Sequence, residues 1–185
     1  MAVKSLLNWL DPIRLDEREK FLKKSVTHLI GASPSNLTLY RLAFLHSSAS
    51  KESVAENYKE SNERLEFLGD SVLGMITATY LFQKFPFKDE GFLTEIRSRM
   101  VSRESLNVIG RKLGLEEVIE YETQRKNAMS RTSMYGDALE AFVGAIYLDK
   151  GFAFTQNFII KKILTQYFDL GAVVQNNPNF KSMLI

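Results

Sequence analysis

The sequence predicts an all-α fold, and three features of its patterning carry that expectation. Apolar residues recur every three to four positions over long stretches, the spacing of helices that bury one face or more. Strict apolar–polar alternation is scarce, with Val118-Ile119-Glu120-Tyr121 as the one weak strand candidate. The four prolines, Pro12, Pro34, Pro86 and Pro178, each fall where an apolar pattern pauses, and none lies between Phe87 and Asn177. At 185 residues, 45% of them apolar and 25% charged, the chain has the size and mix of one globular domain.

The periodicity places helices at 16–30, 37–46, 62–84, 92–98, 102–113, 134–149 and 153–169. The pause at Pro34 separates the first two, and Asn62 is a plausible N-cap for the third, which ends before Pro86. Gly114 after Arg111-Lys112-Leu113, and Gly151 after Leu148-Asp149-Lys150, read as left-handed glycines closing the fifth and sixth. Ser133 reads as the N-cap of 134–149. The polar stretches Ser47–Ser61 and Thr123–Thr132 read as loops. There is no internal repeat and no low-complexity tract.

Composition excludes several chemistries. Cysteine is absent and histidine occurs only as His28 and His46, which removes disulfides, thiolate nucleophiles, Cys-based zinc sites and multi-His metal sites. No run of 18 apolar residues suggests a membrane span, and the first residues lack the apolar core of a secretion signal. A formal net charge of +2 is too small to announce a nucleic-acid partner, so the placement of charges matters more than their sum.

That placement is informative. The segment Asn62–Ile76 is apolar around most of its helical circumference, yet Glu63, Glu66 and Asp70 fall within about 60° of one another on it. Gly136–Leu148 is more apolar still and carries Asp137 and Glu140 one turn apart. Small residues beside these acids, Ala141 and Gly144 on one helix and Gly74 and Thr77 on the other, would let two backbones cross closely. The acids would then converge. Four carboxylates in a mostly dry site need either protons or a hard cation, and an all-oxygen donor set favours Mg²⁺ or Mn²⁺. The alternative is that the acids are surface charges and ion-pair partners. A di-iron bundle would need Glu-x-x-His, but the third residues after Glu66 and Glu140 are Gly69 and Val143. A metal-activated water acting on a phosphate remains the natural chemistry.

At these residues the sequence resembles the ribonuclease III family, which cleaves double-stranded RNA. Asn62–Leu73 (NERLEFLGDSVL) matches the family signature, Ser133–Asp149 its second motif, and Glu90-Gly91-Phe92-Leu93 its Glu-Gly-x-Leu element. Ala43–Ser48 resembles Ala-Leu-Thr-His-x-Ser, with Leu45 in place of the usual threonine. The resemblance implies a ribonuclease III-type helical endonuclease domain over 37–170, a symmetric homodimer, after an N-terminal extension with a helix over 1–36. Residues 171–185 would be a linker and the opening of a double-stranded-RNA-binding domain, making the chain a fragment of a longer protein. By that similarity Glu66, Asp70, Asp137 and Glu140 are metal ligands, with Asp70 and Glu140 catalytic. Glu63 and Glu90 are supporting acids, and Phe67 plugs into a socket on the partner. Without the resemblance Phe67 would read as a core aromatic.

The implied reaction is hydrolysis of duplex RNA with Mg²⁺, for which Mn²⁺ can substitute, leaving 5′-phosphate and 3′-hydroxyl ends with 3′ overhangs. The implied setting is cytoplasmic, with no membrane partner. In and just beyond the basic section from Lys84 to Arg131, the residues Arg97, Arg131 and Ser133 are the best placed for RNA contact, being near the acids in sequence. A helix N-terminus at Ser133 could also receive a phosphate. His46 reads as a hydrogen-bonded structural residue. Two other classes remain open: a helical metal-dependent nucleotide pyrophosphohydrolase, and a non-cleaving RNA-binding dimer.

Overall fold

The computed structural model describes residues 15–50, 52–53, 58–122 and 128–171. Helix α1 (Glu17–Ile30) opens on a reciprocal cap. The Asp16 carboxylate accepts from the Glu19 N–H at 2.7 Å, and the Glu19 carboxylate accepts from the Asp16 N–H at 3.1 Å. Then follow α2 (Leu37–Ala43), a two-residue antiparallel pair β1 (Glu52–Ser53) and β2 (Tyr58–Lys59), α3 (Glu63–Lys84), α4 (Glu90–Met100) and α5 (Arg103–Lys112). A 3₁₀ turn at Leu115–Glu117 leads to α6 (Ala128–Phe158), a π-helical stretch Ile159–Leu164 and α7 (Thr165–Tyr167).

The predominantly helical class stands, and the departures have local causes. The second helix stops at Ala43 because the next residues bond elsewhere. The Glu120 N–H donates to the Phe44 carbonyl at 2.7 Å and the His46 N–H donates to the Glu120 carbonyl at 3.0 Å. This is all that the strand candidate Val118–Tyr121 becomes, a single parallel bridge between Leu45 and Glu120. Asn62 occupies the N-cap position of α3 but has helical angles and makes no capping bond with its side chain. Ser133 is not a cap. The helix begins at Ala128, because the segment before Ser133 contains neither glycine nor proline to stop it. Gly114 adopts φ 74° as expected. Gly151 has φ 76° and ψ 176°, so it breaks α6 with an extended left-sided turn that a side chain would strain.

The core is built around α6. Phe142 is fully buried, and the rings of Tyr40, Phe44 and Phe158 surround it with centroids 5.8, 5.3 and 5.8 Å away. Where α3 crosses α6, the backbones nearly touch. A methyl group added at Gly69 would overlap the Glu140 carbonyl, and one at Gly144 would overlap the Leu65 carbonyl. Helix α5 approaches α6 in the same way, since a methyl at Gly110 would lie 2.5 Å from the Tyr135 carbonyl oxygen. Gly74, expected at the crossing, has nothing within 4 Å of that position. The close contact falls at Gly69, five residues earlier, so the crossing sits beside Glu66 and Asp70.

By length and composition α3 alone among the described helices could cross a membrane. Its apolar residues Leu65, Val72, Leu73, Ile76 and Leu81 are instead buried in the protein core.

The end of α6 is tied to the chain before α2. Asp149, whose side chain is 1% exposed, accepts from the N–H groups of Ser35 and Asn36 and from the Tyr40 hydroxyl at 2.9 Å. Lys150 donates to the Ser33 carbonyl at 2.7 Å and to the Ser35 hydroxyl at 2.6 Å. Burial alone would raise the Asp149 pKa, but these bonds hold it below the usual carboxylate value.

The two kinds of glycine should respond oppositely to alanine. Gly69→Ala or Gly144→Ala should cost about 3 kcal/mol or more, because two backbones must separate. Gly74→Ala should gain about 0.5–1 kcal/mol from helix propensity. Urea denaturation of the three variants checks the difference.

Candidate metal centre

Three helices build one cleft. From α3 come Glu63, Glu66, Phe67 and Asp70; from α6, Gly136, Asp137 and Glu140; from α5, Arg103 and Leu106. The cleft encloses about 400 Å³. Carboxylate oxygens of Glu66, Asp137 and Glu140 lie within 4.8 Å of one another, and all three side chains are half-buried. Asp70 and Glu63 line the same cleft and are exposed. The four expected ligands therefore share one cavity, and Glu63 joins them.

The acids strain one another electrostatically. Burial, then the negative charges of Asp70, Glu66 and Asp137, push the Glu140 pKa up to about 8, with Arg103 opposing them. Burial and the charges of Asp137, Glu63 and Asp70 raise Glu66 as well, again against Arg103. Negative groups packed this closely, with one of them pushed toward its neutral form, are what a divalent cation can relieve. Opposed ligands of a Mg²⁺ octahedron lie about 4.2 Å apart, close to the observed spread, and the donors are all hard oxygens. The residues present fit such an ion.

Other expected residues lie apart from this cleft. Glu90 and Arg97 share a separate groove between α3 and α4 with Ala78, Phe82 and Thr94, and the Glu90 carboxylate accepts from the Thr94 hydroxyl at 2.9 Å. Ser133 is half-buried on α6, one turn before Asp137, and with the helix starting at Ala128 it offers no helix N-terminus to a phosphate. The side chain of Arg131 lies outside the described residues. His46 serves the junction of two loops, its Nδ1 accepting from the Ser48 N–H at 3.1 Å. Much of the basic section is engaged locally. Arg99 pairs with Glu95 at 2.6 Å, Arg111 lies over the Tyr135 ring, and Lys112 over Tyr167.

Phe67 is 78% exposed, so it is not a core aromatic. Beside it runs a groove of about 640 Å³ lined by Leu39, Leu42, Leu65, Leu68 and Leu148.

One residue at the site, Asn107, escaped sequence reasoning, and another, Arg103, was covered only as one charge of the basic section from Lys84 to Arg131. Asn107, on α5, accepts the Gly136 N–H on Oδ1 at 2.9 Å and donates from Nδ2 to the Arg103 carbonyl at 2.8 Å. It thereby fixes α5 to α6 immediately before Asp137. Arg103 is the cation of the cleft. Neither has a motif of its own, and their partners lie on another helix. Gly69 could have been found, since it lies next to Glu66 on the helical wheel.

A family model described as ribonuclease-III-like matches residues 36–167. Ribonuclease 3 of Azobacteroides pseudotrichonymphae is 39% identical over 181 residues, covering 98% of this chain and 67% of that protein. Ribonuclease 3 of Bacteroides thetaiotaomicron is 40% identical over 183 residues, covering 97% of this chain and 57% of that protein. The chain thus spans roughly three-fifths of the length of such relatives. The nuclease domain of ribonuclease III from Campylobacter jejuni, described as flexible in a region involved in dimer formation, superposes with a TM-score of 0.67. It is 33% identical, over 76% of this chain and 94% of that one. Dicer from Giardia intestinalis shares the fold, with a TM-score of 0.65 at 20% identity over 88% of this chain and 21% of that one.

Because the folded Glu140 pKa of about 8 exceeds the ordinary value of 4.5, the folded chain keeps this proton to higher pH than the unfolded chain does. The stability from that difference is complete below about pH 4.5 and is lost as pH rises through about 8. Melting temperatures of the metal-free protein should therefore fall across this window. Glu140→Gln should flatten the fall, and Mg²⁺ should raise the melting temperature most at its alkaline end.

Proposed function

The chain belongs to the ribonuclease-III-like family, and from that membership we propose that it is a Mg²⁺-dependent endoribonuclease of double-stranded RNA. The observation that carries this reading is the meeting of Glu66, Asp137 and Glu140 oxygens within 4.8 Å, with Asp70 on the same cleft. Glu66, Asp70, Asp137 and Glu140 would hold the ion, and Mn²⁺ offers a similar fit. Bound there, the ion supplies polarisation of a phosphoryl oxygen and a lowered pKa for its water.

The chain's own residues do the rest. Asp70 on α3 and Glu140 on α6 line the same cleft, from which they would orient water and phosphate from opposite helices. Glu63 sits at the exposed rim and supports the set. In-line attack of water on the scissile phosphorus breaks the bond to the 3′ oxygen, leaving a 5′-phosphate and a 3′-hydroxyl. Shape and backbone recognition suffices for A-form RNA, and the cleft carries no base-reading element. Arg97 beside Glu90, with Arg131 and Ser133 on the turns of α6 before Asp137, are the proposed contacts along the duplex outside the cleft.

Two copies are needed to cut both strands. The exposed ring of Phe67 and the leucine-lined groove beside it suit a symmetric homodimer in which each Phe67 enters the other copy. Staggered cuts by the two centres would leave 3′ overhangs. The reading places the activity in cytoplasmic RNA processing.

Glu140→Ala and Asp70→Asn should each reduce cleavage of duplex RNA in Mg²⁺ by about 100-fold or more while leaving circular dichroism and duplex binding in Ca²⁺ intact. Undiminished cutting by both variants, or cutting by the wild type in excess chelator, would remove the metal-centre reading. Phe67→Ala should shift sedimentation toward the monomer.

A further inference from the structure

We propose that Arg103 is the phosphate-binding residue of the acidic cleft, the group that lets a polyanion approach five carboxylates. This rests on the nuclease reading above and goes beyond it, since that reading accounts for how the cleft holds a cation but not for how it admits a phosphodiester. Among the described residues, Arg103 is the one cation lining the cleft, opposite Glu63, Glu66, Asp70, Asp137 and Glu140. Its charge acts on both Glu66 and Glu140. Yet it forms no ion pair within 4.0 Å with any of them. Its guanidinium donors are therefore uncommitted within a strongly negative wall, and a planar fork of donors suits two phosphate oxygens at once.

The backbone that carries Arg103 is fixed. Asn107 holds the Arg103 carbonyl at 2.8 Å and, through the Gly136 N–H at 2.9 Å, locks this turn of α5 to the turn of α6 that bears Asp137. The main chain that carries the cation is thus tied to the helix of Asp137 and Glu140 by two hydrogen bonds rather than by a flexible loop. An arginine held so near the ligands also repels the divalent ion in the absence of RNA, and that gives the role an unusual signature.

The test compares wild type, Arg103→Gln and Arg103→Lys in three measurements: multiple-turnover cleavage of duplex RNA in Mg²⁺, Mn²⁺ binding without RNA, and melting temperature. Arg103→Gln should lower kcat by about 100-fold with KM changed far less, because remote contacts set affinity for the duplex. The same variant should bind Mn²⁺ about threefold tighter, having lost a repelling charge, and should melt as the wild type does. Arg103→Lys should recover part of kcat and restore the weaker Mn²⁺ binding. A wild type that cuts and an Arg103→Gln variant with the same kcat would overturn the assignment and leave the nuclease reading standing. So would weaker Mn²⁺ binding together with a lowered melting temperature, the mark of a purely structural role. Duplex RNA left uncut by the wild type would overturn both.

Discussion

The backbone contact of α3 with α6 is the constraint on which the remaining structure depends. Gly69 and Gly144 remove the two side chains that would hold the helices apart, and each then lies against a carbonyl of the other helix. Such proximity brings helix axes nearer than ordinary ridge-and-groove packing allows. It places Glu66 and Asp70, on either side of Gly69, opposite Asp137 and Glu140. Without it, the same acids would sit at the surfaces of two helices and be of little chemical interest. The apolar residues that surround them, with Phe142 at the centre, keep the crossing from opening.

The acid array is costly to the protein alone. The rise falls on Glu66 and Glu140, and Glu140 rises because it is half-buried and meets the charges of Asp70, Glu66 and Asp137. A doubly charged hard ion relieves several repulsions at once, whereas a monovalent ion relieves fewer. The rigid backbone beneath the acids prevents them from escaping by moving apart. Site chemistry and fold stability are therefore linked through one electrostatic term.

Much of this was legible in the amino-acid order, and the gaps have physical causes. The stripe of Glu63, Glu66 and Asp70 and the Asp137–Glu140 pair stand out because charges in apolar helices need a reason, and that reasoning requires no knowledge of the partner helix. The register of the crossing does require it, which is why Gly74 looked as suitable as Gly69. The helix start at Ala128 was obscured because Ser133 has the chemistry of a cap, although nothing before it stops the helix. Glu90 lies in the groove between α3 and α4 rather than in this chain's acidic cleft, a matter of tertiary placement. Asn107 and Gly136 are 29 residues apart, and nothing in either neighbourhood announces the bond between them.

The clasp of Asp149 and Lys150 on Ser33–Asn36 reaches in the other direction, toward the beginning of the chain. It joins α6, which carries two of the acids, to the connection between α1 and α2, more than a hundred residues away in sequence. Loop closure over that distance is entropically expensive for an unfolded chain and is recovered only when both ends are in place. Loosening of the first two helices is therefore felt at the carboxyl-terminal half of α6. The clasp thus couples the connection between α1 and α2 to the helix that carries Asp137 and Glu140, and amide exchange in α2 is a probe of that helix's integrity.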